Sequence, residues 1–217
     1  MHKLAVQSET KPAVSGSRER LLEAASRVFA QAGLRGATTR GIAEAAGVNE
    51  ITLFRLFGTK ERLLAAVLER AATVQADALA DDQLWTGELE RDLRRYAELF
   101  NAVLEQNEHL IRTLIGEARR YPEQARQLIF EAVQSSRKCF IAYLDAAAKR
   151  GAIRPDVDVA AAGDAFTGML LSGMLRRPNQ RKLGYSSETY VSSCVEIFVR
   201  GIRADAVKTI STRKAGK

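Results

Sequence analysis

Apolar side chains recur at intervals of three and four along almost the whole chain, and Gly, Ser, Thr, Asn or Asp punctuates the runs where helices start and stop. Leu21, Leu22, Ala25, Val28 and Phe29 mark a first helix, with Ser17 able to cap it and Gly33 able to end it. Thr38 or Thr39 opens a short second helix with Ile42, Ala43 and Ala46 on one face, and Gly47 stops it. Asn49 caps a third, reaching Phe57, and Gly58 ends it. Thr59 starts a fourth that runs to about Ala80, where Asp81 and Asp82 mark its end. Thr86 is placed to cap a fifth helix with Leu89, Leu93, Tyr96, Phe100 and Val103 on one face, and a sixth follows from Glu108 to Arg120. Pro122 opens a seventh that is expected to run unbroken to Arg150 before Gly151. Asp158 caps an eighth (Val159 to Leu175), Arg176–Tyr185 reads as a loop, and Ser186 or Ser187 caps a ninth, ending near Arg203. No segment alternates like a strand, so the expected fold class is all-α with nine helices.

Two helices too short to stand alone, joined at Gly47, form a helix-turn-helix that must pack on the first helix and the start of the fourth. Phe29, Ile42, Ala46, Val48, Leu53 and Phe57 supply the inward faces. Residues 17–62 carry eight basic and five acidic side chains, whereas 63–207 are nearly neutral, and a basic head on a neutral body fits either a polyanion partner or a solvated surface with excess Lys and Arg. The expected organisation is a disordered arm at 1–16, a basic helix-turn-helix head at 17–62, a larger helical body at 63–205 and a disordered basic tail at 206–217.

The stretch TTRGIAEAAGVNEITLFRLFGTKERLL, Thr38–Leu64, resembles the head signature of the TetR family of one-component regulators, and the preceding LLEAASRVFAQAGLRGATT fits that family's first helix and turn. The resemblance covers about 50 residues. It implies three head helices, a fourth linking head to body, and a dimer formed by the last two. It further implies a repressor that binds a palindromic double-stranded operator as a homodimer and is released by a small, largely apolar effector. Ile51, Phe54 and Leu56 depart from common family choices, and Phe54 lacks the tyrosine hydroxyl that commonly meets a phosphate there.

The third helix would present Asn49, Glu50, Ile51, Thr52, Phe54 and Arg55 to the major groove, with Thr39, Arg40 and Lys60 on the backbone. Asn49 is equally explained as a cap, and Glu50 as a favourable charge in a first helical turn. Trp85, Phe100, Leu104, Phe130, Phe140, Tyr143, Phe166 and Met169 are candidates for an apolar effector pocket, though aromatics at this spacing also make ordinary core. Phe166, Leu170, Gly173, Met174, Tyr190, Cys194 and Phe198 are candidates for the dimer interface, with completion of the monomer core as the alternative.

Other chemistry finds little material. Cys139 and Cys194 lack metal-ligand spacing, and His109 stands alone outside the arm. No phosphate loop, nucleophile elbow or zinc-binding His pair occurs, so no enzyme, metal or cofactor is expected. No apolar run approaches the ~20 residues that cross a bilayer, and the N-terminus is too polar for a signal peptide, so the expected location is cytoplasmic. The rival to a repressor is a helical ligand-binding protein whose head has lost DNA affinity.

Overall fold

A computed structural model describes residues 11–80, 85–177 and 184–204, and among these it is helical with no strand. The basic tail, most of the N-terminal arm, the end of the fourth helix at Asp81–Asp82 and the middle of the loop after Arg177 lie outside the described residues. Ten α-helices follow one another: α1 Lys11–Gly36, α2 Thr39–Ala46, α3 Glu50–Phe57, α4 Lys60–Ala80, α5 Leu89–Gln106, α6 Glu108–Glu117, α7 Glu123–Ala132, α8 Gln134–Lys149, α9 Val159–Arg176 and α10 Ser187–Ile202. A 3-10 turn, Ala118–Arg120, joins α6 to the loop before α7.

Within the helix-turn-helix the caps act where the sequence placed them, whereas Ser17, expected to cap the first helix, lies inside α1. Thr38 accepts from the Gly41 amide, Asn49 accepts from the Ile51 amide, and Gly47 takes the left-handed conformation at φ 63° that favours glycine. Two expectations change. Helix α1 starts at Lys11, inside the expected arm, and a break at Gly33 (φ 68°) turns its last residues. The expected long seventh helix is two helices, α7 and α8, parted at Val133.

Two apolar clusters hold the molecule. The first gathers Leu21, Leu22, Phe29, Ile42, Leu53, Leu63 and Leu64 of the head with Leu110, Tyr121 and Ala125 from α6, the loop and α7. Each fully buried large aliphatic side chain there contributes about 1.5–3 kcal/mol. That burial is what sustains α2 and α3, each eight residues long and below the roughly 12–15 residues at which an isolated helix becomes stable. The second cluster joins α5, α8, α9 and α10 around Leu93, Tyr96, Phe140, Phe166, Met174 and Phe198. Tyr96 stacks on Phe140 at 3.7 Å between ring centroids, and Phe166 on Phe198 at 4.4 Å.

Head and body meet chiefly where α1 packs on α6 and where α4 packs on α7 and α8. At the Gly33 break the Glu117 carboxylate accepts the Leu34 amide at 3.2 Å, and Thr113 donates its hydroxyl to the Ala30 carbonyl at 3.0 Å. A Cβ on Gly33 would lie 2.6 Å from the Glu117 carboxylate carbon, so the close approach as well as the positive φ calls for glycine. Tyr121 donates to the same carboxylate, and burial together with that neighbouring charge pushes its phenol up to about 12.

Candidate nucleic-acid interface and interior cavity

Helix α3 buries Leu53 and Phe57 against the head core and turns the other side outward. Ile51 is 75% exposed and Phe54 48%, and Asn49 and Arg55 are exposed beside them, with Glu50 and Thr52 half-buried. The Asn49 side-chain oxygen is committed to its cap, accepting the Ile51 amide. Glu50 accepts the Thr39 hydroxyl at 2.6 Å, pinning the first turn of α3 to that of α2. Arg40 donates to Glu44 at 2.9 Å, and that bond, then the charge behind it, raises the guanidinium's pKa. Both side chains are exposed, so this pair opens at little cost.

Lys60 opens α4 and is half-buried. Its ammonium donates to the Ala37 carbonyl at 2.8 Å and closes the turn between α1 and α2. There it shares a shallow open depression of about 410 Å³ with Arg35, Thr38, Thr39 and Phe54. Arg35, Lys60 and the α2 N-terminus thus lie round one spot, with Thr59 and the carboxylate of Glu61 also lining it, and the two cations with the helix amides suit a phosphate. Arg35 was missed by sequence reasoning. Its signal was present, a basic residue just beyond the Gly33 break, but without the turn's geometry nothing aimed it at α2.

The body holds a cavity of about 460 Å³ between α4, α5, α6, α7, α8 and α9. Of the eight sequence candidates, Phe100, Leu104 and Phe140 line it. The other five do not. Phe166 is fully buried in the second cluster and Met169 packs against that cluster. Phe130 is 59% exposed on α7. Trp85 stacks on Tyr143 at 4.0 Å, away from the cavity. That pair belongs to a polar latch at the start of α5: buried Asp92 accepts from the Thr86 amide and hydroxyl, the Gly87 amide and the Tyr143 hydroxyl, all at 2.8–3.0 Å. Thr86 therefore closes the turn before α5 through Asp92 instead of capping the helix itself. Burial, then the Asp92 bond, raises the Tyr143 phenol well above its ordinary range. The cavity wall that sequence reasoning missed is aliphatic: Leu68, Ile111, Leu114, Ile129, Ile141 and Leu171. These sit on the inward side of helices whose periodicity marks them as buried without saying against what.

The seven dimer candidates are placed differently from expectation. Phe166, Leu170, Met174, Cys194 and Phe198 are buried within the single chain, where they pack α9 on α10 and α5. Tyr190 is half-buried, its hydroxyl donates to the Met169 carbonyl at 3.0 Å, and its ring fills the space beside Gly173. The same two helices turn other residues outward: Ala161, Ala165, Gly168 and Leu175 on α9, and Ser193, Ile197 and Gly201 on α10, with Ile197 64% exposed.

Among the described residues no helix is long and apolar enough to cross a membrane, and no cluster of three or more ligating side chains suits a metal ion.

A three-helix head with an outward third helix, on a helical body with an apolar cavity, is the architecture of a DNA-binding regulator. Residues 21–67 match the family model described as bacterial regulatory proteins, tetR family, and residues 85–183 match that of the tetracyclin repressor-like C-terminal domain. The chain is 31% identical over 150 residues to the HTH-type transcriptional repressor KstR2 of Mycobacterium tuberculosis, covering 67% of this chain and 74% of that one. It is 26% identical over 189 residues to the uncharacterized HTH-type transcriptional regulator YvkB of Bacillus subtilis, covering 86% and 97%. Its fold superposes on the regulator FadR of Bacillus subtilis in complex with stearoyl-CoA with a TM-score of 0.73 at 22% identity, covering 85% of this chain and 99% of that one. The protein belongs to the TetR family of transcriptional regulators. It is a DNA-binding regulator, not an enzyme.

Proposed function

We propose that the protein is a homodimeric repressor that holds a palindromic operator and leaves it when a small, mostly apolar molecule enters the body cavity. The observation that carries this reading is the outward face of α3, with Ile51, Phe54 and Arg55 exposed next to the depression shared by Arg35, Thr39 and Lys60. In the major groove, Arg55 would reach a guanine edge or a phosphate, and Ile51 and Thr52 a thymine methyl. Arg35, Lys60 and the amides opening α2 would fix the head on the backbone, which sets affinity and its salt dependence. Phe54 would give apolar contact where a hydroxyl is absent.

The dimer would form on the outward faces of α9 and α10. Small residues at Ala161, Ala165 and Gly168 allow close helix approach, and Leu175 and Ile197 supply apolar area. Two-fold pairing there presents two heads to one duplex and asks for inverted half-sites. Repressor action is supported by KstR2, and an apolar effector by the aliphatic cavity and by FadR's complex with stearoyl-CoA. Release is then linkage: the effector must bind the free dimer better than the operator-bound one. A cytoplasmic location follows from a chromosomal ligand.

Selection of bound fragments from random DNA, followed by gel shifts across a salt series, tests the proposal. An inverted repeat bound with strong salt dependence is the expected result. Absence of salt-sensitive, sequence-selective binding overturns it and leaves a ligand-binding protein without DNA affinity.

A further inference from the structure

The cavity is apolar almost throughout, yet it carries one charged feature, and that feature stands at its mouth. Among the described lining residues the charged ones are Arg137 on α8 and Asp164 on α9. They bind each other fork to fork, with Nε to Oδ1 and Nη2 to Oδ2, both at 2.7 Å. Their side chains are 40% and 52% exposed, while Ile115 and Val133 are the exposed apolar members of the same wall. The ion pair thus stands among the more exposed lining residues, beside Ile115 and Val133, and the rest of the wall is uncharged: mostly aliphatic and aromatic, with Asn107, Ser136 and Thr167 as its polar side chains.

We infer that this site takes an amphiphile with an apolar body and a single anionic end, which Arg137 receives at the mouth. The inference rests on the cavity being the effector site proposed above. Arg137 belongs to the α8 stripe Val133, Ser136, Arg137, Phe140 and Ile141 that lines the cavity, so its stem runs along the wall with its head at the rim. The bridge to Asp164 uses Nε and Nη2, and the guanidinium carries further N–H donors on Nη1. An anion can thus join Arg137 or take the place of Asp164, and a planar fork suits a carboxylate in either case. A cation would instead have to draw Asp164 from a two-bond partner. The bridge also pins α8 to α9, so exchange of its carboxylate for that of a ligand changes how those two helices are tied.

Titration of the DNA-free protein with dodecanoate, dodecanol and dodecyltrimethylammonium, each below its micelle concentration, tests this. Dodecanoate is expected to bind tightest. Arg137→Gln should weaken dodecanoate by roughly tenfold and leave dodecanol unchanged, as loss of a charge-assisted pair predicts. Asp164→Asn should tighten dodecanoate several-fold, since it removes the competing carboxylate, and Arg137→Lys should restore part of what glutamine loses. Equal binding of dodecanoate and dodecanol, preference for the cationic probe, an Arg137→Gln effect that is the same for both chains, or no binding of any probe overturns the inference. Gel shifts on the wild-type protein read operator binding separately, so failure of the repressor proposal and failure of this one give different results.

Discussion

Glu117 and Gly33 form the tightest meeting of body and head, and a double-mutant cycle across them reads how firmly the two are joined. In Glu117→Ala the buried Leu34 amide and the Tyr121 hydroxyl both lose their acceptor. An unsatisfied buried group costs about 1–3 kcal/mol, and both groups are only part-buried as pairs, so a loss of about 2 kcal/mol is expected. Gly33→Ala forces an L side chain into φ 68°, ψ 179°, a region almost confined to glycine, at about 1–3 kcal/mol. It also drives a methyl into the Glu117 carboxylate and pushes it off the Leu34 amide. In the double variant that clash is gone, because residue 117 ends at Cβ, and the lost hydrogen bond is not lost twice. The two single effects should therefore exceed the double effect by about 1 kcal/mol, within the roughly 0.5–3 kcal/mol seen for residues in contact. Urea unfolding of the four proteins at one fixed concentration measures this. Additivity within about 0.5 kcal/mol refutes the claim that this contact joins head to body.

Arg35→Ala should weaken binding to all DNA sequences alike and lower the slope of log affinity against log salt by about 0.9, the loss of one phosphate contact; a change in sequence preference would count against that role. Phe54→Tyr, which adds a hydroxyl to a half-exposed ring on the groove face, should raise operator affinity in gel shifts with no change in urea midpoint. Ile197→Glu places a charge on the outward face of α10 and should give a folded monomer in sedimentation velocity, whereas an unchanged dimer would locate the interface elsewhere. Tyr121 and Tyr143 both have phenols raised above the ordinary value of about 10, Tyr121 to about 12. The folded state favours their protonated forms, so stability held below pH about 10 falls as pH climbs towards 12, and Tyr121→Phe should flatten that fall in urea midpoints.

Local chemistry made the head legible. Thr38, Gly47, Asn49 and Gly58 each perform a job their side chain or its absence dictates, so boundaries came within a residue or two. The break at Val133 had no such mark, because no Gly or Pro lies between Phe130 and Arg137. It is a tertiary effect, with α7 packing on α4 while α8 packs on both α4 and α9. The cavity was half legible for a related reason. Periodicity identifies the buried face of a helix but not whether that face meets a neighbour or a void, so Phe140 lines the cavity while Phe166, equally apolar, is solid core. On α9 and α10 the large apolar residues were taken for the partner-facing side. The monomer core claims them first, because it must bury them to form at all, and what remains outward is small residues, the apolar Leu175 and Ile197, and charged side chains such as Asp164, Arg176, Glu196 and Arg200.

That division bears on how a ligand would reach the DNA head. Helix α4 is one route, since it belongs to both parts and offers Leu68, Ala71 and Ala72 to the cavity. Helix α6 supplies a second route with more polar anchors. It turns Ile111, Leu114 and Ile115 to the cavity, while Thr113 and Glu117 grip α1 at the Gly33 break. Its Arg112 donates to the Met174 and Leu175 carbonyls at the end of α9, at 2.6 Å for the first. An effector of the kind proposed would thus press on one helix fastened to the head through Thr113 and Glu117 and, through Arg112 midway along it, to the proposed dimer helices. Hydrogen bonds are directional and tolerate less sliding than the apolar packing of α4 on α7 and α8. A displacement of α6 should accordingly be passed to α1 more faithfully than one of α4 alone, which is why the Glu117–Leu34 bond, and not a residue on the linking helix, is the place to cut the connection.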